Sequence, residues 1–307
     1  MGGETDLRAR RLRRVAEVLG ALEAAEPRTT LTLGELLSRP LGSDLRGTVI
    51  EGRAGLAGLV IGTRLDRLSW EAMPYLHDEA AAPAVARTID QGPFDWIYGH
   101  AMDVAPLQPH LRRGLAPAVM HYVSTEPPQP ALGEPDPRFR RATIADLSDL
   151  SDLYGEYELL AVPTRAGLRA LLRRMLLDHL VIVAEEDDRL VAGIEIVMTR
   201  RWAHAANLTV HPDYRRRGLA SQLYVQVAEV ARGCGLGCAG VMAPSNPIPV
   251  PPRGEVEGLW IDQRLAPARR FRGYGRLREA TWKARGKRAA RRPSFFRDPG
   301  DPGSPPG

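Results

Sequence analysis

Cysteine is scarce in this 307-residue chain, which contains two, Cys234 and Cys238. They lie four residues apart, without a CxxC spacing or an accompanying histidine cluster, so they provide neither a zinc site nor a disulfide framework. We therefore expect two buried thiols and no bound metal.

Long apolar runs are also lacking. No stretch approaches the roughly 20 apolar residues that a membrane-spanning helix needs. The first residues, Met1 to Asp6, have no apolar core of the kind that marks a secretory signal. These absences predict a cytoplasmic protein with no membrane partner.

An excess of positive charge is absent from most of the chain. The segment from Trp282 to Gly307 has seven lysines or arginines and two aspartates, which accounts for the whole net charge of +5. Its Pro/Gly-rich end cannot form a packed core, so we expect a disordered tail. Because the rest of the chain is electrically balanced and has no helix-turn-helix pattern, the sequence argues against a nucleic-acid partner.

The chemically informative segment is LTVHPDYRRRGLA, from Leu208 to Ala220. An extended apolar run ends at Pro212, and an Arg/Gly-rich loop leads into a helix predicted over Gly218 to Gly233. The glycine lets the backbone approach a ligand closely, and the unpaired amides of a helix N-terminus attract phosphate. Arginines 215–217 add permanent positive charges whose donor geometry suits phosphate oxygens. The segment therefore predicts a diphosphate site.

This segment resembles the central motif of the GNAT acyltransferases, Arg/Gln-x-x-Gly-x-Gly/Ala, with Arg215, Gly218 and Ala220 at the three defined positions. The resemblance implies that the loop amides hold the pyrophosphate of acetyl-CoA, the acyl donor, and that the preceding strand pairs with the pantetheine arm. It extends over about residues 138–280. The acyl-CoA-binding residues that it implies are Leu208, Thr209, Val210, Arg215, Arg216, Arg217, Gly218, Leu219, Ala220 and Asn246.

The apolar pattern around the motif follows the order of elements in that family. We expect an α/β (α+β) fold, with a mixed, mostly antiparallel central sheet flanked by helices, preceded by a smaller α/β domain. The predicted elements are a strand at 139–143, helices carrying Leu147–Tyr154 and Leu168–Leu176, and strands at Leu180–Ala184, Leu190–Thr199, Trp202–Val210, Leu236–Ala243 and Val256–Leu265.

Prolines mark the predicted boundaries. A Pro-rich linker at 126–137 separates an N-terminal domain, residues 1–125, from the transferase domain, residues 138–281, and the tail follows at 282–307. Prolines 247, 249, 251 and 252 predict an extended loop where the family usually has a helix.

The N-terminal domain allows two interpretations. It opens with a predicted amphipathic helix over Arg8 to Glu26 and has short strands at Gly58–Gly62, Asp95–Tyr98 and Ala118–Ser124. In one interpretation it is a degenerate GNAT-like lobe that helps to wall the acceptor pocket. In the other, the segments 31–40 and 49–56 resemble the sensing module of PucR-type regulators.

Acyl transfer from a thioester to an amine needs a base, a polarised carbonyl and a positioned acceptor. The resemblance implies that the amide of Val210 polarises the carbonyl. His204, on the same strand, is the first candidate for the base, and Glu195 on the neighbouring strand is the second. His204 could equally be a buried sheet histidine. Phe271 stands at the position of the family's acid tyrosine, so either Tyr274 protonates the leaving thiolate or water does.

The expected function is transfer of an acetyl group from acetyl-CoA to a primary amine of a small molecule or a peptide, by direct attack in a ternary complex. The alternative is a catalytically silent acyl-CoA-binding sensor or regulatory protein, which Phe271 favours. The sequence leaves open whether the protein forms a homodimer.

Overall fold

The computed structural model describes residues 6–64, 70–113, 119–124, 138–156, 165–242 and 256–265. The predictions for the linker, the Pro-rich loop, the tail, Asn246, Phe271 and Tyr274 lie outside these ranges.

The strands of the described ranges form one sheet. They are β1 (Arg8–Arg11), β2 (Leu45–Gly52), β3 (Gly55–Arg64), β4 (Trp70–Leu76), β5 (Trp96–His100), β6 (Val119–Ser124), β7 (Phe139–Arg141), β8 (Leu180–Glu186), β9 (Arg189–Met198), β10 (Trp202–Val210), β11 (Gly237–Met242) and β12 (Val256–Arg264).

Helices cover both faces of the sheet. They are α1 (Leu19–Ala24), α2 (Thr30–Ser38), α3 (Ala82–Gln91), α4 (Ala101–Val104), α5 (Leu147–Glu156), α6 (Arg165–Asp178) and α7 (Leu219–Gly233). None of these described helices is both long and apolar enough to cross a bilayer.

The two halves of the chain have the same order of elements and exchange their last strands. In the described residues, the first half (β1 to β6) and the second half (β7 to β12) each run strand, two helices, three strands, helix and two strands, with the short helix α4 between the last two strands of the first half. In each half, the third of the three consecutive strands pairs in parallel with the strand after the helix. The sheet order is β1-β2-β3-β4-β5-β12-β6-β11-β10-β9-β8-β7. Thus β12 pairs with β5 of the first half, and β6 pairs with β11 of the second.

The helix predicted over Gly218 to Gly233 is confirmed as α7. Leu219, Leu223 and Val227 are fully buried on one face of α7, as their spacing of four residues requires. The β8–β9 hairpin turns at Asp187 and Asp188, with φ of 50° and 57°. Aspartate tolerates this left-handed conformation better than most residues, and such turns match the twist of paired strands.

The single helix predicted over Arg8 to Glu26 is wrong. Its first part is strand β1, which pairs antiparallel with β2, and the helical part is reduced to a 3₁₀ turn and α1. Arg10 joins the two parts, with hydrogen bonds to Glu17 (2.6 Å) and Glu51 (2.7 Å). The apolar spacing fitted a helix, but pairing with a distant strand overrides local propensity.

The prediction of two buried thiols is half wrong. Cys238, on β11, is buried, and burial raises its pKa to about 11. Cys234 is exposed because it caps the C-terminus of α7.

Helix α2 of the first half packs on strands of the second half. Leu31 lies in an apolar cluster with Val197, and Ser38 Oγ lies 3.4 Å from His179 Nε2. A methyl group at Gly34 would overlap Cγ1 of Val197. Because the helix backbone lies directly on β9, the absence of a side chain at Gly34 sets how closely the two halves pack.

We predict that Gly34→Ala destabilises the protein by about 1–3 kcal/mol, the usual cost of overpacking a core. Chemical denaturation of the full chain measures this change. Gly20→Ala, in α1, is the matched control, since its methyl group would meet nothing within 4 Å. The control should leave stability unchanged or raise it by at most about 1 kcal/mol. Equal effects of the two substitutions would refute close packing at Gly34.

Candidate acyl-CoA site

Strand β10 separates from β11 before it reaches its own end. The parallel pairing covers Trp202 to Ala205, whereas pairing with β9 on the other side continues to Val210. Residues 206–210 therefore present one strand edge from which β11 has diverged. The main-chain donors and acceptors of such an edge can pair with an extended ligand, as they would with another strand.

A bulge at Asn207 accompanies the separation. The register with β9 shifts between Ala206 and Thr209, and Asn207 has a φ of 49°. Its side-chain amide donates to Glu195 Oε2 (2.5 Å), and its carbonyl accepts a hydrogen bond from the Tyr154 hydroxyl (2.6 Å). Both contacts come from other elements, so the surrounding structure holds the left-handed conformation in place.

The main-chain groups of Val210 point into the cleft. The amide of His211, the next residue, donates to the Val191 carbonyl on β9 (2.7 Å). Because successive residues of an antiparallel strand point to alternate sides, the N–H and C=O of Val210 face away from β9. Arg215 Nε donates to that carbonyl (3.1 Å), which fixes the start of the loop against the strand end.

The loop after β10 delivers the N-terminus of α7 to the same place. A 3₁₀ turn at Pro212–Tyr214 leads to Arg216 and Gly218, which have φ of 66° and 83°. Gly218 is the N-cap of α7, so it has no side chain that could cap the first-turn amides. A Cβ at this position would meet nothing within 4 Å. No side chain therefore caps the amides of the first turn, as a phosphate cradle requires.

Arginines 215–217 are exposed around this cradle. The guanidinium of Arg217 lies 4.8 Å from the centre of the Tyr214 ring, and its Nη1 lies 3.6 Å from Glu186 Oε2. Side chains placed in this way can turn toward a diphosphate at little cost. The described residues fit the CoA diphosphate, and they contain no group of three or more His, Cys, Asp or Glu side chains that could hold a metal ion.

The implied binding residues contribute in different ways. Leu219 has a buried side chain, so it can offer its main-chain amide to a ligand, and Ala220 is partly exposed in the first turn of α7. Thr209 is buried, and by the same alternation its main-chain groups face β9 rather than the cleft. Leu208 packs against the apolar face of α7, as Val210 does. The structure brings all of these residues together with the arginines at the C-terminal end of β10.

Glu195 is a buried carboxylate with several partners. Burial alone would raise the pKa of Glu195, but the hydrogen bond from His179 Nδ1 (2.5 Å), the bond from Asn207 and the nearby Arg174 together hold it below its usual value. Only 3% of Glu195 is exposed, so it does not face solvent from the strand. The carboxylate stays ionised at neutral pH.

His204 is completely buried in β10. Burial lowers the pKa of His204 to about 4, although the charge of Glu195 opposes this shift. Its side chain lies on the sheet face that α2 covers, opposite to α7, which packs on Ala203 and Ala205. The imidazole is therefore neutral at pH 7.

Sequence reasoning missed the polar residues that surround Glu195. His179 follows α6, Asn207 interrupts an apolar strand, and Tyr154 reads as one more apolar residue of α5. An asparagine within a strand pattern is a weak signal for a left-handed residue. Nothing in the sequence connects it with a carboxylate on the preceding strand.

A comparison with protein-family models matches residues 147–248 to a model described as the Acetyltransferase (GNAT) family. The described part of that segment contains the loop, the first turn of α7 and the separated edge of β10. A search of curated proteins found no match.

Solved structures with the same fold cover about 85% of this chain. A Drosophila protein aligns with a TM-score of 0.61 at 13% identity, over 85% of this chain and 99% of that one. A tandem GNAT protein from the clavulanic acid biosynthesis pathway aligns with a TM-score of 0.55 at 12% identity, over 86% and 99%. A GCN5-related N-acetyltransferase from Sphaerobacter thermophilus aligns with a TM-score of 0.53 at 15% identity, over 84% and 95%.

The repeated order of elements and these alignments define a tandem arrangement of the GNAT fold. Residues 147–248 match the GNAT acetyltransferase family, which uses acetyl-CoA as cosubstrate.

We predict that Glu195→Gln lowers the free energy of unfolding at pH 7 by roughly 3 kcal/mol, because it removes one partner of a buried charged network. The pKa of Glu195 is lowered in the folded state, so its stabilisation is present above the unfolded pKa and is lost as the pH falls through the folded value. The difference in free energy of unfolding between wild type and variant should therefore become smaller below about pH 4. Urea denaturation from pH 3 to pH 8 measures it.

Glu229→Gln is the control for this substitution. Glu229 pairs with Arg232 on the exposed face of α7, so its loss should leave the unfolding midpoint unchanged. If the difference in free energy of unfolding between wild type and Glu195→Gln does not depend on pH, the carboxylate at this position is not ionised in the folded protein.

Proposed function

We propose that the chain is an acyl-CoA-dependent N-acetyltransferase that transfers acetyl from acetyl-CoA to a primary amine by direct attack in a ternary complex. The observation that carries the proposal is the convergence of an uncapped helix N-terminus, three exposed arginines and a separated strand edge at one end of β10.

The proposed binding mode follows from these groups. The first-turn amides of α7 and the side chains of Arg215, Arg216 and Arg217 would hold the diphosphate, which supplies most of the charge recognised in the loop. The edge from Leu208 to Val210 would pair with the pantetheine arm and so fix the thioester near the strand. Asn246 would extend this pairing.

The chemical step is an acyl transfer. The amine nitrogen bonds to the carbonyl carbon, the carbon–sulfur bond breaks, and its electron pair leaves with the sulfur, which takes up a proton. The N–H of Val210 faces the cleft and would stabilise the developing negative charge on the carbonyl oxygen. Tyr274 or water would supply the proton to sulfur.

Glu195 and His204 are the proposed proton acceptors. At neutral pH Glu195 is ionised, because its hydrogen bonds and charged neighbours lower its pKa. His204 is a neutral imidazole, because burial lowers its pKa. Their low pKa values leave little driving force for proton transfer from an ammonium group. Turnover should therefore rise with pH as the acceptor amine loses its proton, rather than with a titration of the enzyme.

The burial of both acceptors favours a second candidate, a catalytically silent acyl-CoA-binding sensor. Glu195 is 3% exposed and His204 is 0% exposed, so an amine in solution has little access to either side chain. The sensor and the enzyme share the binding site and differ in turnover.

We predict that the double variant Arg215→Ala/Arg217→Ala binds acetyl-CoA at least about tenfold more weakly, since each arginine removes charge-assisted hydrogen bonds to phosphate. Isothermal titration calorimetry measures the affinity. Arg232→Ala, at the other end of α7, is the matched control and should bind as the wild type does. Unchanged affinity of the double variant would contradict the proposed diphosphate site.

A measurement of thiol release from acetyl-CoA distinguishes the enzyme from the sensor. The acceptors tested are polyamines, amino acids, aminoglycosides and peptides with unblocked N-termini. For an enzyme that uses His204, His204→Ala lowers the rate of release by at least about tenfold while acetyl-CoA affinity is retained. Binding without release on any amine class would favour the sensor.

A further inference from the structure

The first half of the chain contains a counterpart of the β10 cleft. Strand β4 pairs in parallel with β5 at Glu71 and Ala72, and its pairing with β3 continues to Leu76. The amide of His77 donates to the Ala57 carbonyl (3.0 Å), as that of His211 donates to β9. By the same alternation, the main-chain groups of Leu76 face away from β3. Leu76 therefore corresponds to Val210.

The edge of β4 lacks a donor that β10 has. Pro74 lies two residues before Leu76 and faces the same side of the strand, toward β5, and a proline has no N–H. The corresponding residue in the second half is Leu208, which has one. The parallel pairing of β4 and β5 ends just before Pro74, so the proline accounts for the separation of these strands.

An ion pair occupies both main-chain groups of Leu76. The carboxylate of Asp103 accepts a hydrogen bond from the Leu76 amide (2.8 Å), and Arg28 Nη2 donates to the Leu76 carbonyl (3.3 Å). The two side chains are themselves close, with Arg28 Nε 3.6 Å from Asp103 Oδ2. The Arg28 guanidinium also lies 5.1 Å from the centre of the Tyr75 ring. Asp103 is 2% exposed, so the carboxylate that binds the Leu76 amide belongs to the protein interior.

The segment after β4 is unsuited to a diphosphate. The four residues before α3 are Asp78, Glu79, Ala80 and Ala81, whereas the four before α7 are three arginines and Gly218. The Asp78 carboxylate caps the 3₁₀ turn that leads into α3 (Glu79–Ala81), by accepting a hydrogen bond from the Ala80 amide (2.9 Å). Pro83 removes a further donor from the first turn of α3. The acidic side chains would repel phosphate at the point where arginines 215–217 would attract it.

We propose that the Arg28–Asp103 pair closes the acyl-CoA cleft of the first half from within, so that each chain binds one acyl-CoA, in the second half. This inference rests on the proposed binding of acyl-CoA at β10. The pair takes the places that a thioester carbonyl and a pantetheine amide would need at Leu76.

The position of Arg28 gives the closed cleft a structural role. Arg28 lies two residues before α2, the helix that packs on β9 and β10 of the second half. Its contacts with Leu76 and Asp103 therefore fix the start of that helix. Burial raises the pKa of Asp103 to about 6, so the carboxylate is still ionised at pH 7 and can keep its charge interaction with Arg28.

Hydrogen–deuterium exchange of the full chain, followed by mass spectrometry with and without acetyl-CoA, tests the proposal. Acetyl-CoA should slow exchange in peptides that cover 207–222 and leave peptides that cover 73–82 unchanged. Without ligand, exchange at Leu76 should already be slow. Asp103→Ala should accelerate it about tenfold or more, whereas Asp103→Asn, whose amide oxygen can still accept the bond, should keep it slow.

The outcomes distinguish a failure of the single-site inference from a failure of the proposed function. Ligand-dependent protection over 73–82, or a calorimetric stoichiometry of two, would overturn the single-site inference and leave the β10 site intact. Absence of protection over 207–222 would overturn the proposed function. Fast exchange at Leu76 in the ligand-free wild type would overturn the proposed closure, regardless of any effect of acetyl-CoA. This measurement uses the wild type alone, so it does not depend on whether a variant folds.

Discussion

The left-handed residue at Asn207 is the local constraint on which the cleft depends. The bulge lies where β10 leaves β11 and exposes a strand edge to a ligand. Two contacts from other elements hold the bulge, the Glu195 carboxylate on the side chain and the Tyr154 hydroxyl on the carbonyl. Glu195 is in turn bound by His179, which reaches Ser38 of α2. The shape of the cleft is thus tied to the first half of the chain.

The exchange of β6 and β12 makes the two halves one structure. Each of these strands pairs with a strand of the opposite half, so neither half completes its sheet alone. The halves have nevertheless diverged at equivalent positions. In one, Val210 faces an open cleft beside an arginine loop. In the other, Leu76 is bound by Arg28 and Asp103 beside an acidic segment. One framework therefore serves as a ligand site in the second half and as an internal anchor in the first.

Patterns that are local in sequence predicted their structures well. Helix α7, the β8–β9 hairpin and the loop at Gly218 follow from spacing, turn residues and glycine, all of which act over a few neighbouring residues. The environment of Glu195 could not be predicted, because its partners His179 and Asn207 come from other parts of the chain. The strand conformation of Arg8–Arg11 likewise depends on pairing with β2, which is distant in sequence. The predicted acid Tyr274 and the ligand Asn246 lie outside the described residues and stay predictions.

The most direct test of the central claim is the thermal unfolding temperature of the full chain measured across a titration with acetyl-CoA. A ligand that binds the folded state stabilises it increasingly as its concentration rises above Kd. The account predicts a progressive rise in Tm with acetyl-CoA and little change with an acetylated pantetheine that lacks the diphosphate. No rise with acetyl-CoA at millimolar concentration would contradict it.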